Sequence, residues 1–275
     1  MPYAYERVSP YVQKILAPNP GPMTLDGTNT WVLGDVDHQP IIVDPGPLDE
    51  DHLDRVLAAC GGVAGAVLIT HRHHDHTDGA ARMAELAGCP VLAADPAYAG
   101  SKADVLVDGY RAELGALSLR AVATPGHTSD SMSFLVTGTG QPAYLITGDT
   151  VLGRGTTVIT HPDGDLAGYL DSLRVLIDLV RTYAVAEILP GHGDRVTDPA
   201  TVLRQYREHR LERLDQVRQA LAAGDRTAAE VVRRVYADVD RSVWPAAEQS
   251  VRAQLDYLDR LGGPEQDDSR STGNT

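Results

Sequence analysis

The stretch AVLITHRHHDHTDG, residues 66–79, constrains this chain more than any other. AVLIT, an apolar run with a β-branched end, reads as a buried strand. It delivers the chain directly into His71, and His73, His74, Asp75 and His76 follow within the next five positions. His71, His73, Asp75 and His76 cannot share one face of a helix, where neighbours lie three or four apart. On a tight loop leaving a strand they can converge. Imidazoles mixed with a carboxylate favour zinc, iron or manganese over calcium. The competing reading is a solvated histidine cluster, and three later motifs speak against it. TPGHT with His127, TGDT with Asp149 and PGHG with His192 each put a metal-ligand residue just after an expected strand. Each sits beside a Gly or Pro that lets the backbone turn sharply. A lone PGH would mean little; four such strand-end motifs on one chain are hard to explain by packing.

The surroundings supply those strands. TNTWVLG and PIIVDPG read as two short strands, and DEDHLDRVLAACG as a helix with Leu53, Val56 and Leu57 on one face and Gly61 as its stop. DGAARMAELAG reads as a helix opened by Asp78, and CPVLAA, LSLRAVATP, MSFLVTG, AYLITG and AEILP as strands, with the amphipathic helix DLAGYLDSLRVLIDLVRTY before the last. Strands in meander order followed by mixed strand and helix predict an α+β fold, two sheets with helices on their outer faces. From Asp198 the pattern turns helical. PATVLRQYREHRLERLDQVRQALAAG, TAAEVVRRVYA and PAAEQSVRAQLDYLDRLGG predict three helices, with Val231, Val232 and Val235 facing Val251, Leu255 and Leu258. The expected organisation is a metal-hydrolase domain over 1–197, a small helical domain over 198–263 and a polar, disordered tail over 264–275.

The spacing HxHxDH, then His, Asp and His, resembles the metallo-β-lactamase superfamily, and His71, His73, Asp75, His76, His127, Asp149 and His192 fill every position of its pattern. The resemblance covers roughly residues 20–195 and implies an αββα sandwich with two metals at one edge. It implies that His71, His73 and His127 bind the first metal, that Asp75, His76 and His192 bind the second, and that Asp149 bridges them. His74 and Arg72 then occupy variable positions and point away. Asp44, in IIVDPG, matches an acidic residue that supports the site from behind its ligands, where such carboxylates fix histidine tautomers; a plain turn residue is the other reading. His161 and His209 fall outside the motifs and read as ordinary surface or core histidines. The segments NPGPMTLDGTNTWVLG and PDGDLAGYLDSL, with the C-terminal helices, resemble the β-lactamase-like protein 2 group, in which a winged-helix-like domain follows the metal domain. No apolar strands for a wing follow LGG, which favours a three-helix appendage that shapes the pocket.

Two cations sharing a hydroxide would hydrolyse an acyl or phosphoryl bond at neutral pH, with Asp75 the candidate to orient that hydroxide and shuttle its proton. Departures from relatives within the superfamily narrow the reaction. Asp149 argues against antibiotic hydrolysis, His73 stands where flavodiiron proteins carry Glu, and the 42 residues between Asp149 and His192 leave no room for the extra domain of the mRNA-processing nucleases. Two classes remain: a small-molecule ester or thioester hydrolase, and a single-strand-selective endoribonuclease, as members of the β-lactamase-like protein 2 group are. A DNA-binding regulator ranks last. A net charge of −14 repels polyanions at a distance, although Arg204, Arg207 and Arg210 could form a local basic strip. Aromatics make up only 5% of the chain, with one Phe and two Trp, so bases would find few stacking surfaces. The expected partner is therefore a small molecule rather than RNA, with no membrane and with homo-oligomerisation left open. Two Zn2+ are expected, with iron or manganese as alternatives, because hydrolysis needs no redox change. Without an apolar run at the N-terminus or a membrane-length span, a cytoplasmic protein is expected. Cys60 and Cys89 lack ligand spacing and are expected as buried free thiols.

Overall fold

The computed structural model describes residues 5–262. Its first sheet has six strands in sequence order: β1 (Tyr5–Ser9), β2 (Val12–Leu16), β3 (Asn29–Leu33), β4 (Ile41–Val43), β5 (Ala66–Leu68) and β6 (Val91–Leu92). The pairs are antiparallel up to β4 and parallel from β4 through β6. The second sheet has five strands in the order β11-β10-β9-β8-β7, from β7 (Arg111–Leu114), β8 (Leu117–Ala123), β9 (Met132–Thr137), β10 (Ala143–Gly148) and β11 (Val185–Pro190). Only β10 and β11 run parallel there. Helices α1 (Glu50–Ala59) and α3 (Ala80–Ala87) cover the first sheet, and α4 (Leu166–Tyr183) covers the second.

Period-two alternation sends the two faces of each strand into different cores. Trp31, Leu33, Ile41 and Val43 meet Leu119, Phe134, Val136, Tyr144 and Ile146 between the sheets. Their neighbours Val32 and Ile42 pack under α1 and α3, while Leu135 and Leu145 pack under α4. Strands buried on both faces must be apolar throughout, and hence they read as continuous runs in the sequence. The αββα sandwich expected from the resemblance is the fold observed.

Several local expectations differ. The hairpin β1–β2 and strand β7 leave no apolar pattern in the sequence, because YERVS, VQKIL and RAEL mix charged residues into short segments at or near sheet edges. The histidine motif is not all loop: α2 (His74–Thr77) is a single helical turn, and Asp78 closes it rather than opening α3, whose N-cap is Gly79. The C-terminal region forms α5 (Pro199–Ala222), α6 (Ala228–Val235) and α7 (Trp244–Gly262). Val231, Val232 and Val251 are buried against one another there, with Val235, Leu255 and Leu258 at the margin. No strand follows β11 among the described residues. Leu203, Tyr206 and Leu214 of α5 share one core with α4, so the long helix continues the metal-domain core instead of starting afresh at 198. The tail expected over 264–275 lies outside the described residues. Both cysteines are free; Cys60 is buried as expected, whereas Cys89 is only half-buried.

Candidate metal centre

The ends of five strands build the site, all at one edge of the sandwich. β4 runs into Asp44, β5 into Thr70 and His71, β8 into His127, β10 into Asp149 and β11 into His192. Two glycines make this crowding feasible. A side chain at Gly191 would come 2.6 Å from Asp149 Oδ1 and 2.8 Å from His76 Cε1, and one at Gly126 would meet the Tyr169 backbone at 2.3 Å. His71, His76, His127 and His192 are buried, while His73, Asp75 and Asp149 are half-buried.

The donor atoms fall into two groups, His71, His73, His127 and Asp149 in one and Asp75, His76 and His192 in the other, the atoms of each lying within 4.8 Å of one another. In the first group His73 Nδ1 lies 3.0 Å from His71 Nε2 and 3.1 Å from His127 Nε2. In the second, His192 Nε2 lies 3.2 Å from His76 Nε2 and 3.0 Å from Asp75 Oδ2. The two oxygens of Asp149 divide between the groups. Oδ1 is 3.5 Å from His76 Nε2 and 3.4 Å from His192 Nε2, whereas Oδ2 is 3.8 Å from His127 Nε2.

Hydrogen bonds behind the rings fix which nitrogen faces inward. His192 Nδ1 donates to the Gly27 carbonyl at 3.0 Å and His127 Nδ1 to that of Val158. His76 Nδ1 donates to Asp44 Oδ2 at 2.7 Å. The Thr70 hydroxyl gives its proton to the same carboxylate oxygen, so at 3.0 Å it can only accept from His71 Nδ1. In its neutral form each of the four rings therefore turns an unprotonated Nε2 into the site. Asp44 owes this double role to a left-handed backbone, φ 52°, which returns its side chain to Thr70 and His76; Asp tolerates that region better than most residues.

This donor set fits a divalent metal. Nitrogens 2.0–2.1 Å from a tetrahedral zinc are about 3.3 Å apart, close to the observed spacings, and unprotonated ring nitrogens would otherwise repel. Asp149 Oδ1 is buried without a hydrogen-bond partner, and a buried carboxylate oxygen needs one. The charge pattern divides the two groups, and in the second, against the effect of burial, the Asp44, Asp149 and Asp75 carboxylates raise His76 well above its ordinary pKa. Burial holds His71 well below its ordinary pKa and brings His127 down to about 4. Burial also opposes charging of His192, yet the Asp149 and Asp75 carboxylates raise it to about 9. Asp149, despite its own burial, is held well below the ordinary range by His192 and His76.

His74 points outward, its side chain 84% exposed and paired with Asp78. Arg72 does not behave as an idle neighbour. Its guanidinium bonds Asp130 and Ser129 and pairs with Asp163 and Asp95, tying three loops together beside the ligands. Nothing in its sequence position signals that role. Beside His127 and Asp149 lies a cavity of about 340 Å³, bounded on its far side by α5, α7 and the segment between α6 and α7. Met23, Leu25, Leu152, Val158, Val243 and Ala247 make most of its wall apolar. His209, expected to be an ordinary histidine, lines it, as do Arg210 and Arg213. His161 pairs with Asp256.

A sandwich whose strand ends gather five histidines and two aspartates in this pattern defines a class, the metal-dependent hydrolases of the metallo-β-lactamase fold. The solved structure of a metallo-β-lactamase family protein from Thermus thermophilus superposes with TM-score 0.76, covering 93% of this chain and 95% of that one at 20% identity. A β-lactamase domain protein from Burkholderia ambifaria gives 0.74, over 94% and 88% at 24% identity. A β-lactamase-like protein 2 homologue of Caenorhabditis elegans is 32% identical over 268 residues, 94% of this chain and 87% of its own. An atrochrysone carboxyl ACP thioesterase of Aspergillus chevalieri is 34% identical over 253 residues, 86% and 77% of the two chains. The family model of the β-lactamase-associated winged helix domain matches residues 227–270, which take in α6 and α7. The chain belongs to the metallo-β-lactamase superfamily, alongside the β-lactamase-like protein 2 homologues, and carries a C-terminal β-lactamase-associated winged-helix domain. None of its described helices is long and apolar enough to cross a membrane.

Proposed function

We propose that the protein is a binuclear, zinc-dependent hydrolase of small acyl thioesters or esters. The observation that carries this reading is the largely apolar cavity of about 340 Å³ that opens onto His127 and Asp149, a shape suited to an acyl group of modest size. The thioesterase name of a relative 34% identical over 253 residues supports the same substrate class. His71, His73 and His127 would hold one cation, Asp75, His76 and His192 the other, and Asp149 both. Bound there, two divalent cations lower the pKa of a water to about 7 and polarise the carbonyl under attack.

The chain's own residues do the rest. Asp75 is half-buried, and although burial opposes its ionisation, His76 and His192 keep it charged. Its carboxylate can orient the attacking water and take up the proton that water loses. Asp44, Gly27 and Val158 keep the imidazoles in one tautomer, so no ring has to turn during the reaction. Apolar walls exclude competing water from the acyl group.

An endoribonuclease would need an exposed basic path and aromatic stacking surfaces. Arg210, the third member of the strip expected with Arg204 and Arg207, is 4% exposed and turned inward. Tyr236 is the one Phe, Tyr or Trp ring on the cavity wall among the described residues, and the Arg213 guanidinium lies over it. The test compares metal-loaded protein with Asp149→Ala on acyl thioesters, phosphodiesters and single-stranded RNA. Metal-dependent thioester cleavage, lost by about 100-fold or more in the variant, is expected; cleavage of RNA alone would overturn the reading.

A further inference from the structure

We propose that the cavity takes a substrate with an anionic head on an apolar body, and that Arg210 and Arg213 are the receptor for the head. The inference rests on the cavity being the substrate site and adds to it the charge of the molecule that fits.

Arg210 and Arg213 stand one helical turn apart on α5 and both line the cavity. Arg210 is almost fully buried. One of its Nη atoms donates to the Thr157 carbonyl, its guanidinium lies 4.9 Å from the centre of the Tyr169 ring, and its Nε is buried with no partner. Arg213 reaches only uncharged groups: His209 Nε2 at 3.3 Å, Gln216 Oε1 at 2.9 Å and the Val235 carbonyl at 3.3 Å. Among the described residues neither guanidinium has a carboxylate partner, in a chain with 38 Asp and Glu against 24 Lys and Arg.

Buried cations are ordinarily paired, because an unpaired one loses its hydration without compensation. Arg154, an exposed arginine on the cavity wall, is by contrast paired with Asp26. His209 adds no third charge beside them, since burial together with Arg210 and Arg213 brings its pKa down to about 4. Among the described residues the one carboxylate on the cavity wall is Asp149, which belongs to the metal centre. The cavity is thus polarised, with metal ligands on one side, two unmatched guanidiniums on another and apolar residues between. The two ends are close. Arg210 bonds the Thr157 carbonyl, and the Thr157 hydroxyl lies 3.2 Å from His127 Nδ1. A carboxylate or phosphate offers the planar or multidentate acceptors that guanidinium binds best, and an apolar chain attached to it would fill the remaining space.

The test is calorimetric titration of the full-length protein with hexanoate, hexyl phosphate and hexanamide, which share a chain length and differ in the head. Both anions are expected to bind at least about tenfold more tightly than the amide. The margin should persist in Asp149→Ala, which weakens the metal centre, and should collapse in Arg213→Gln. Arg210→Gln is run in parallel; should that buried substitution not fold, Arg213→Gln decides the matter. A larger margin for the phosphate points to a phosphorylated carrier, and a larger one for hexanoate to an acid function on the acyl group. The proposal is overturned if none of the three ligands binds, if the amide binds within about threefold of the anions, if the preference survives Arg213→Gln, or if it vanishes in Asp149→Ala. Intact anion preference without thioester hydrolysis would defeat the catalytic reading alone; hydrolysis with no anion preference would defeat only this one.

Discussion

Residues one position apart in HRHHDH have opposite fates, and hydrogen bonding decides which. His73 turns its Nδ1 toward His71 and His127, while His74, the next residue, begins the single turn of α2 and points its ring at solvent and Asp78. That contrast gives a direct prediction. Replacing His74 with Ala should leave bound zinc unchanged when measured by elemental mass spectrometry. Replacing His73 with Ala should lose at least one equivalent, because the first group of ligands would be reduced to two imidazoles and a shared carboxylate; the reverse pattern would mean the ligand register is wrong. The seven candidate ligands were legible because imidazole and carboxylate chemistry leaves a mark in residue type and because each follows a strand. Arg72 was not legible. Its worth lies in three carboxylates at positions 95, 130 and 163, which only the folded chain brings together.

At the scale of elements, burial on both faces made the strands around the site easy to read and left edge segments such as β1 and β7 hidden. Helix α1 illustrates a consequence for stability. His52 lies on its inner face, fully buried, with Nε2 2.9 Å from the Thr30 hydroxyl of β3. Burial and the nearby Arg55 bring its pKa down to about 4 from an ordinary 6.5. The folded state then binds fewer protons than the unfolded chain between those values, and stability falls as the pH drops from 6.5 toward 4. The cost at the acid end is up to about 3 kcal/mol. Denaturant titrations at neutral and mildly acidic pH should therefore show a smaller acid loss in His52→Gln than in the parent protein. An equal loss in both would assign the acid sensitivity elsewhere, for example to the metal ligands.

Across the whole molecule, the metal domain and the C-terminal helices act on one another. Ser250 of α7 accepts from the Ile159 backbone at 3.2 Å, and Arg210 of α5 holds Thr157. The segment so pinned contains Val158, whose carbonyl orients His127. Helices expected to shape the pocket therefore line it and also brace a candidate ligand. No local pattern could announce this, since the contacts join positions some 50 to 90 residues apart. What the sequence did convey at this scale was the boundary of texture near Asp198, where apolar strands give way to charged helices. The shared core of α4 and α5 lies beneath that boundary and does not respect it. The central claim, that seven side chains from these scattered strand ends hold a pair of divalent cations, is tested most directly by zinc stoichiometry after equilibration and removal of excess metal. Two equivalents in the parent protein and a clear deficit in Asp149→Ala are the expected result. Less than one equivalent in the parent, or an undiminished two in the variant, would contradict it.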